Sequence, residues 1–137
     1  MSTATSVNNA TTVASLYEAF GRGDIPFIVE HIADNCVWIG TGEDLIPSGG
    51  TYKGKEAVNF FIRLGESVEM TSFNPVSISN INEDEVVSFG NMSGISKATG
   101  KLSSSDWAMH WKFNDDGKVI YFHDFHNTAA AYVANQP

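Results

Sequence analysis

The stretch YFHDFHN, Tyr121 to Asn127, holds two of the four histidines of the chain and an aspartate, set between aromatic residues. An aspartate and a histidine on one strand face can act as general base and acid. They could move a proton beside a carbonyl or orient a water. His123 and His126 stand three apart, a spacing that shares a ligand on a helix but not on a strand, where the two face opposite sides. Asp124 and His126 offer two metal ligands and no third follows, so neither metal nor cofactor is expected. A carboxylate among Trp38, Trp107 and Phe122 would be poorly solvated. Its pKa rises, or a partner such as His126 shares its proton. The structural alternative ties Asp124 to a backbone amide or a tyrosine hydroxyl, where it only organises a barrel mouth.

Other chemistries find little support. Cys36 is the lone cysteine and lies in the apolar run CVWI, which suits a small buried hydrophobe better than a nucleophile. GTGE does not follow a phosphate-loop pattern, and no serine sits on a nucleophile elbow. The net charge of -8, from 8 basic and 16 acidic residues, argues against nucleic acid and against an anionic membrane surface. A small apolar or aromatic molecule remains as partner. MSTATSVNNATT has neither a basic nor an apolar leader region, and no apolar run reaches membrane-spanning length. The expectation is a soluble cytoplasmic protein, with residues 1–9 disordered and a single domain over 10–135.

The elements that must position these residues follow from periodicity. Val13, Leu16, Tyr17 and Phe20 form a helical stripe over 11–22, capped by Thr11 or Thr12. Asp24 opens a second helix with Pro26 in its first turn and Ile25, Ile28, Val29 and Ile32 on its buried face. Residues 35–40 read as a strand, and the Gly-, Ser- and Pro-rich GTGEDLIPSGGTYKG as a long loop. Ala57, Phe60, Phe61 and Leu64 mark a third helix over 55–66. Strands follow over 73–81, 86–97, 102–113 and 119–127, with Gly117 in the NDDGK hairpin turn. Thr128 starts a short helix. Helices followed by a meander mean α+β, with helices on one sheet face and a cavity between the layers. In 106–113, alternation puts Trp107, Met109, Trp111 and Phe113 on the core face and Ala108 and His110 outside. In the last strand, alternation does not choose a face.

Four stretches then carry a resemblance: VASLYEAFGRGD, ADNCVWIGTG, GGTYKGKEAVNFF and FNDDGKVIYFHDFHNTAAAYVA, in order along nearly the whole chain. Together they resemble the NTF2-like superfamily in its SnoaL-like, ketosteroid-isomerase-related branch. The resemblance implies a cystatin-like cone-shaped barrel, a curved antiparallel sheet with three helices from the N-terminal half enclosing a deep apolar pocket. It also implies a homodimer through the outer sheet face. In ketosteroid isomerases the positions similar to Phe122, Asp124 and His126 line the pocket. In limonene epoxide hydrolases a catalytic aspartate stands where Asp124 does. The resemblance thus puts Asp124 and His126 inside and His123 outside.

Departures from the pattern narrow the function. The isomerase base, its tyrosine donor and its acidic donor correspond here to Gly40, Leu16 and Met109, so that mechanism lacks its groups. The arginine and aspartate of the epoxide hydrolases correspond to Gly90 and Met92. What remains is a SnoaL-like cyclase, isomerase or lyase using Asp124 and His126, or a non-catalytic binding or dimeric scaffold protein of the same fold. In either case the expected pocket wall is Leu16, Phe20, Trp38, Gly40, Phe60, Trp107, Met109 and Phe122, with Tyr17 or Tyr52 at the rim.

Overall fold

A computed structural model of the protein describes residues 8–137. The disordered start expected over 1–9 therefore lies, for residues 1–7, outside the described residues. Asn9 opens the first helix, α1 (Asn9–Gly21), and the side chain of the preceding Asn8 caps it by accepting the Thr11 N–H. The cap thus precedes the threonines expected in that role. A cluster of asparagines explains the shift. Asn80 donates to Asn8 Oδ1 at 2.8 Å, the Ala10 N–H donates to Asn80, and Asn9 donates to the Glu83 carbonyl. The turn after the third strand holds the helix start in place.

Asp24 caps α2 (Ile25–Glu30) as expected, accepting the Phe27 N–H at 3.2 Å. Ile32, expected on the face of α2, instead opens β1 (Ile32–Gly40) and is still buried. The segment expected to be all loop contains β2 (Gly50–Lys53), an edge strand too short for its alternation to show. A 3-10 turn, Gly54–Ala57, leads into α3 (Val58–Ser67). Four strands follow: β3 (Val68–Asn80), β4 (Glu85–Ser96), β5 (Leu102–Phe113) and β6 (Val119–His126). The last helix, α4, is Thr128–Ala134, capped by Asn127. No helix among the described residues is long and apolar enough to cross a membrane.

The strands form one six-stranded sheet in the order β2-β1-β6-β5-β4-β3. Every pairing is antiparallel except β1 with β6, which is parallel. Register shifts interrupt β3–β4 at two places, and others fall in β1–β6 and β5–β6. Each irregularity adds twist and bend, so the sheet curls around its inner face instead of lying flat. The three N-terminal-half helices lie over that concave face, which gives the cone-shaped α+β fold the sequence implied.

Aromatic residues fill the space between the layers. Trp38 stacks on Phe122 with ring centroids 3.9 Å apart, and Trp111 meets both edge-on. Trp107 stacks on Phe73 at 5.0 Å. Its indole lies flat over β4 because position 90 is glycine. A Cβ at Gly90 would run into Trp107 Cζ2 and the Asn74 backbone oxygen. Since one of these atoms is backbone, both β3 and the indole would have to move. Gly90→Ala is therefore expected to destabilise the protein by about 1–3 kcal/mol in urea unfolding. A change of a few tenths or less would show that the indole yields freely.

Candidate functional site

The strand registers put the site together. On the inner face, β5 and β6 face each other as Trp107 with His126, Met109 with Asp124, and Trp111 with Phe122. The parallel pairing sets Trp38 beside Phe122 and brings the chain after β1 alongside Asp124. The Thr41 N–H consequently donates to Asp124 Oδ1 at 2.7 Å. Asp124 and His126 face inward and His123 outward, where Thr41 Oγ1 and Tyr121 lie within hydrogen-bonding distance of its ring. His110 is on the outer side as alternation expects, 2.7 Å from Glu85 Oε1.

Between sheet and helices lies a cavity of about 140 Å³. Its wall includes Leu16, Tyr17, Phe20, Trp38, Phe60, Trp107, Met109, Phe122, Asp124 and His126, all of them expected site residues. Gly40 and Tyr52 do not line it. A Cβ at Gly40 would meet the Phe60 ring at 2.8 Å, and Tyr52 packs edge-on behind Phe60 while donating to the Ser48 carbonyl at 3.0 Å. Both therefore sit in the layer behind the wall. Tyr17 is not a free rim donor either. Its hydroxyl lies 2.5 Å from Ser88 Oγ, reaches Met109 Sδ at 3.1 Å and accepts the Trp111 indole N–H at 3.3 Å. The mouth is uncharged and polar, with Ser103, Ser105, Asn127 and Asn135 around the small residues Ala130 and Ala131 of α4.

Electrostatics single out one group. Burial pushes the Asp124 carboxyl up to about 7, with the Thr41 N–H pulling the other way. Among the described residues, no Lys or Arg lines the cavity. Burial pushes the Tyr17 hydroxyl up to about 12, against the hydrogen bonds from Ser88 and Trp111. Burial lowers the pKa of His126, partly offset by the Asn127 backbone, so its imidazole is neutral at neutral pH. Asp124 and His126 share no hydrogen bond, contrary to the partnership the sequence suggested. They are alternate residues on one strand face, and His126 stands beside Trp107 while Asp124 turns toward Thr41. Among the described residues, the cavity wall thus has one carboxyl, anchored from outside its own strand by the Thr41 backbone. No group of three or more His, Cys, Asp or Glu among the described residues could hold a metal ion.

Some members of this site escaped the sequence. Thr41 acts through its backbone, which residue type does not reveal. Ser88, fully buried under Tyr17, lies on the inner face of β4 with Val86, Gly90 and Met92, and strict alternation there would have found it. Phe61, Leu64 and Phe73 also line the cavity. They stand on the apolar stripe of α3 and at the site of the first expected long strand.

Against known families, a model of the SnoaL-like domain matches residues 13–122. The chain belongs to the SnoaL-like family. The match stops just short of Asp124 and His126, so family membership fixes the frame but not those two residues. The fold is similar to an NTF2-like protein of Burkholderia thailandensis, with 30% identity and a TM-score of 0.83 over 94% of this chain and 98% of that one. It is also similar to an NTF2-like protein of unknown function from Burkholderia pseudomallei, with 25% identity and a TM-score of 0.84 over 96% and 99% of the two chains. TerC, crystallised with polyporic acid, shares the fold at 21% identity and a TM-score of 0.77, over 94% of this chain and 98% of that one. Among curated proteins, none matches the chain.

The raised pKa of Asp124 makes stability depend on pH. The folded carboxyl keeps its proton to about pH 7, while the unfolded one loses it near 3.8. Between those values the folded chain binds more protons, so the contribution of this group to stability falls as pH rises through the window and is constant above it. Asp124→Asn keeps an oxygen for the Thr41 N–H and removes the titration. The stability of the variant relative to wild type should therefore climb by a few kcal/mol between pH 4 and 7, then level off. A difference that does not vary with pH would show that Asp124 titrates normally.

Proposed function

We propose that the cavity binds a small apolar or aromatic molecule and that Asp124 exchanges a proton with it, in an isomerisation, cyclisation or lyase step. The observation that carries this is a single buried carboxyl, poised near pH 7, on an otherwise apolar wall. A general base works best with a pKa near the operating pH, and Asp124 meets that condition without a cationic neighbour. An apolar cavity of about 150 Å³ is enough for one benzene ring. The volume here, about 140 Å³, therefore suits a core of one ring, with any larger part of the ligand at the uncharged mouth under α4. The crystallisation of TerC with polyporic acid is consistent with this fold holding an organic molecule. His126, neutral and two residues nearer the mouth, would contact the ligand rather than Asp124.

A second reading is a binding module without turnover. Gly40 and Met109 favour it, because they stand where the related isomerases carry base and donor. Deuterium exchange separates the two. Acetophenone in D2O tests whether Asp124 can remove a proton from the methyl carbon and return a deuteron from solvent. The proton passes to the carboxylate, the electron pair moves into the enolate, and reprotonation restores both. Wild type should accelerate exchange above buffer, with the rate rising with pH through about 7 as the carboxylate forms. Asp124→Asn should return it to background. Binding of the ketone without exchange would leave the binding module, and no binding would remove both readings.

We also propose a homodimer through the outer sheet face. Phe89, Ala108 and Phe125 are register partners across β4, β5 and β6, and the two phenylalanines are 52% and 48% exposed. Such an apolar row can pair with its own copy about a two-fold axis. Sedimentation at micromolar concentration should give a dimer that Phe89→Asp converts to monomer. A wild-type monomer at that concentration would refute this.

A further inference from the structure

Thr41 directly follows β1, and Gly42 turns the chain away at once with a φ of 98°. The Thr41 N–H nevertheless has to stay aimed at Asp124 Oδ1. Two restraints act on it. The rung of Gly40 with Gly50 holds the backbone just before it. Its own hydroxyl Oγ1 lies 3.2 Å from His123 Nε2, on the outer side of the sheet.

The His123 ring is itself fixed. Phe125 lies against it with ring centroids 4.1 Å apart, and the Tyr121 hydroxyl is 3.3 Å from Nδ1. A neutral imidazole carries one donor and one acceptor, and a hydroxyl serves as either, so both ring nitrogens are satisfied in either tautomer. Burial, and then the facing His110, lower the pKa of His123, so the ring is neutral at neutral pH. His110 of β5 stands on its rung and pairs with Glu85 of β4. Lys112 of β5 lies over the Tyr121 ring, and β1 presents the apolar Ile39.

Adjacent residues of a strand point to opposite faces, so His123 and Asp124 cannot touch each other. Thr41 bridges them, with its hydroxyl at the outer residue and its N–H at the inner one. We infer that His123 is a positioning residue for Asp124, acting through Thr41 from the opposite face of the sheet. This rests on the proton-transfer role proposed above and adds the group that holds the anchor in place. An N–H donating to a carboxylate favours the charged form, so a loosened anchor raises the proton affinity of Asp124.

The test follows the 13C signal of the Asp124 carboxyl against pH in the ligand-free protein, with Asp124→Asn to identify the signal. The pH profile of acetophenone exchange is measured beside it. Thr41→Val keeps the N–H and loses the hydroxyl. His123→Phe keeps a ring against Phe125 and loses Nε2. Each should raise the proton affinity of Asp124 by about threefold to tenfold, and the exchange profile should move to higher pH with it. The double variant should show the shift of one change and not the sum, because both break the same link. Thr41→Ser, which keeps the hydroxyl, should match wild type. Thr41→Val removes no charge, so its shift cannot come from the field of the histidine. An Asp124 titration unmoved in Thr41→Val, even with a loss of stability, would overturn the inference and leave the role of Asp124 standing. So would additive shifts in the double variant. If wild type catalyses no exchange, the proton-transfer role falls, and the carboxyl titration alone decides the positioning.

Discussion

The parallel pairing of β1 with β6 is the constraint on which the site depends. A parallel pair cannot close through a tight turn, and here all of β2 to β5 intervenes between the two strands. The pairing joins the first strand of the sheet to the last and draws the curved meander into a cone. It also sets Trp38 on Phe122, which is the most closely stacked pair in the core. Two residues beyond the paired stretch, it delivers the Thr41 N–H to Asp124. A slip of one residue would turn Trp38 outward and leave the carboxyl without its only backbone anchor from outside its own strand. The core and the chemistry therefore share one register.

Two polar groups lie deep on the same inner surface and have opposite standing. The Tyr17 hydroxyl is enclosed by Ser88, Met109 and Trp111, so its donor and acceptor capacity is used within the protein. Asp124 has one oxygen fixed and no side-chain donor within hydrogen-bonding distance. Burial raises the pKa of both, but only for Asp124 does it bring the titration near neutral pH. A buried phenol with all its bonds made is part of the core. A buried acid with one bond made can still change its protonation state without a neighbour having to move.

The sequence disclosed those features that repeat along the chain. Alternation in β5 separated Trp107, Trp111 and Phe113 from Ala108 and His110, and the helical stripes identified α1 and α3. It was weakest where structure depends on a distant partner. The start of α1 is fixed by Asn80 and Glu83, some seventy residues away, so local preference pointed to the wrong cap. β2 exists only because β1 lies beside it. Alternation could not orient β6, since aromatic and polar residues occupy both of its faces, and the resemblance to related folds supplied the direction the registers now show. Gly40 and Tyr52 were assigned to the pocket by position in the fold. Phe60 occupies the space in front of them, and no pattern local to either residue signals that.

The aromatic density of the chain can be read as core packing alone, and most of it is. Phe113 and Phe122 are buried and make no demand for a partner, and Trp111 has its partner in the Tyr17 hydroxyl. What distinguishes Trp38 and Trp107 is the combination of a place on the cavity wall and an indole N–H with nothing to receive it. A tryptophan kept purely for packing could be a phenylalanine without the cost of burying an unpaired donor, on the order of 1–3 kcal/mol. Two such costs beside one cavity, with an acid between them, set this wall apart from an ordinary hydrophobic core.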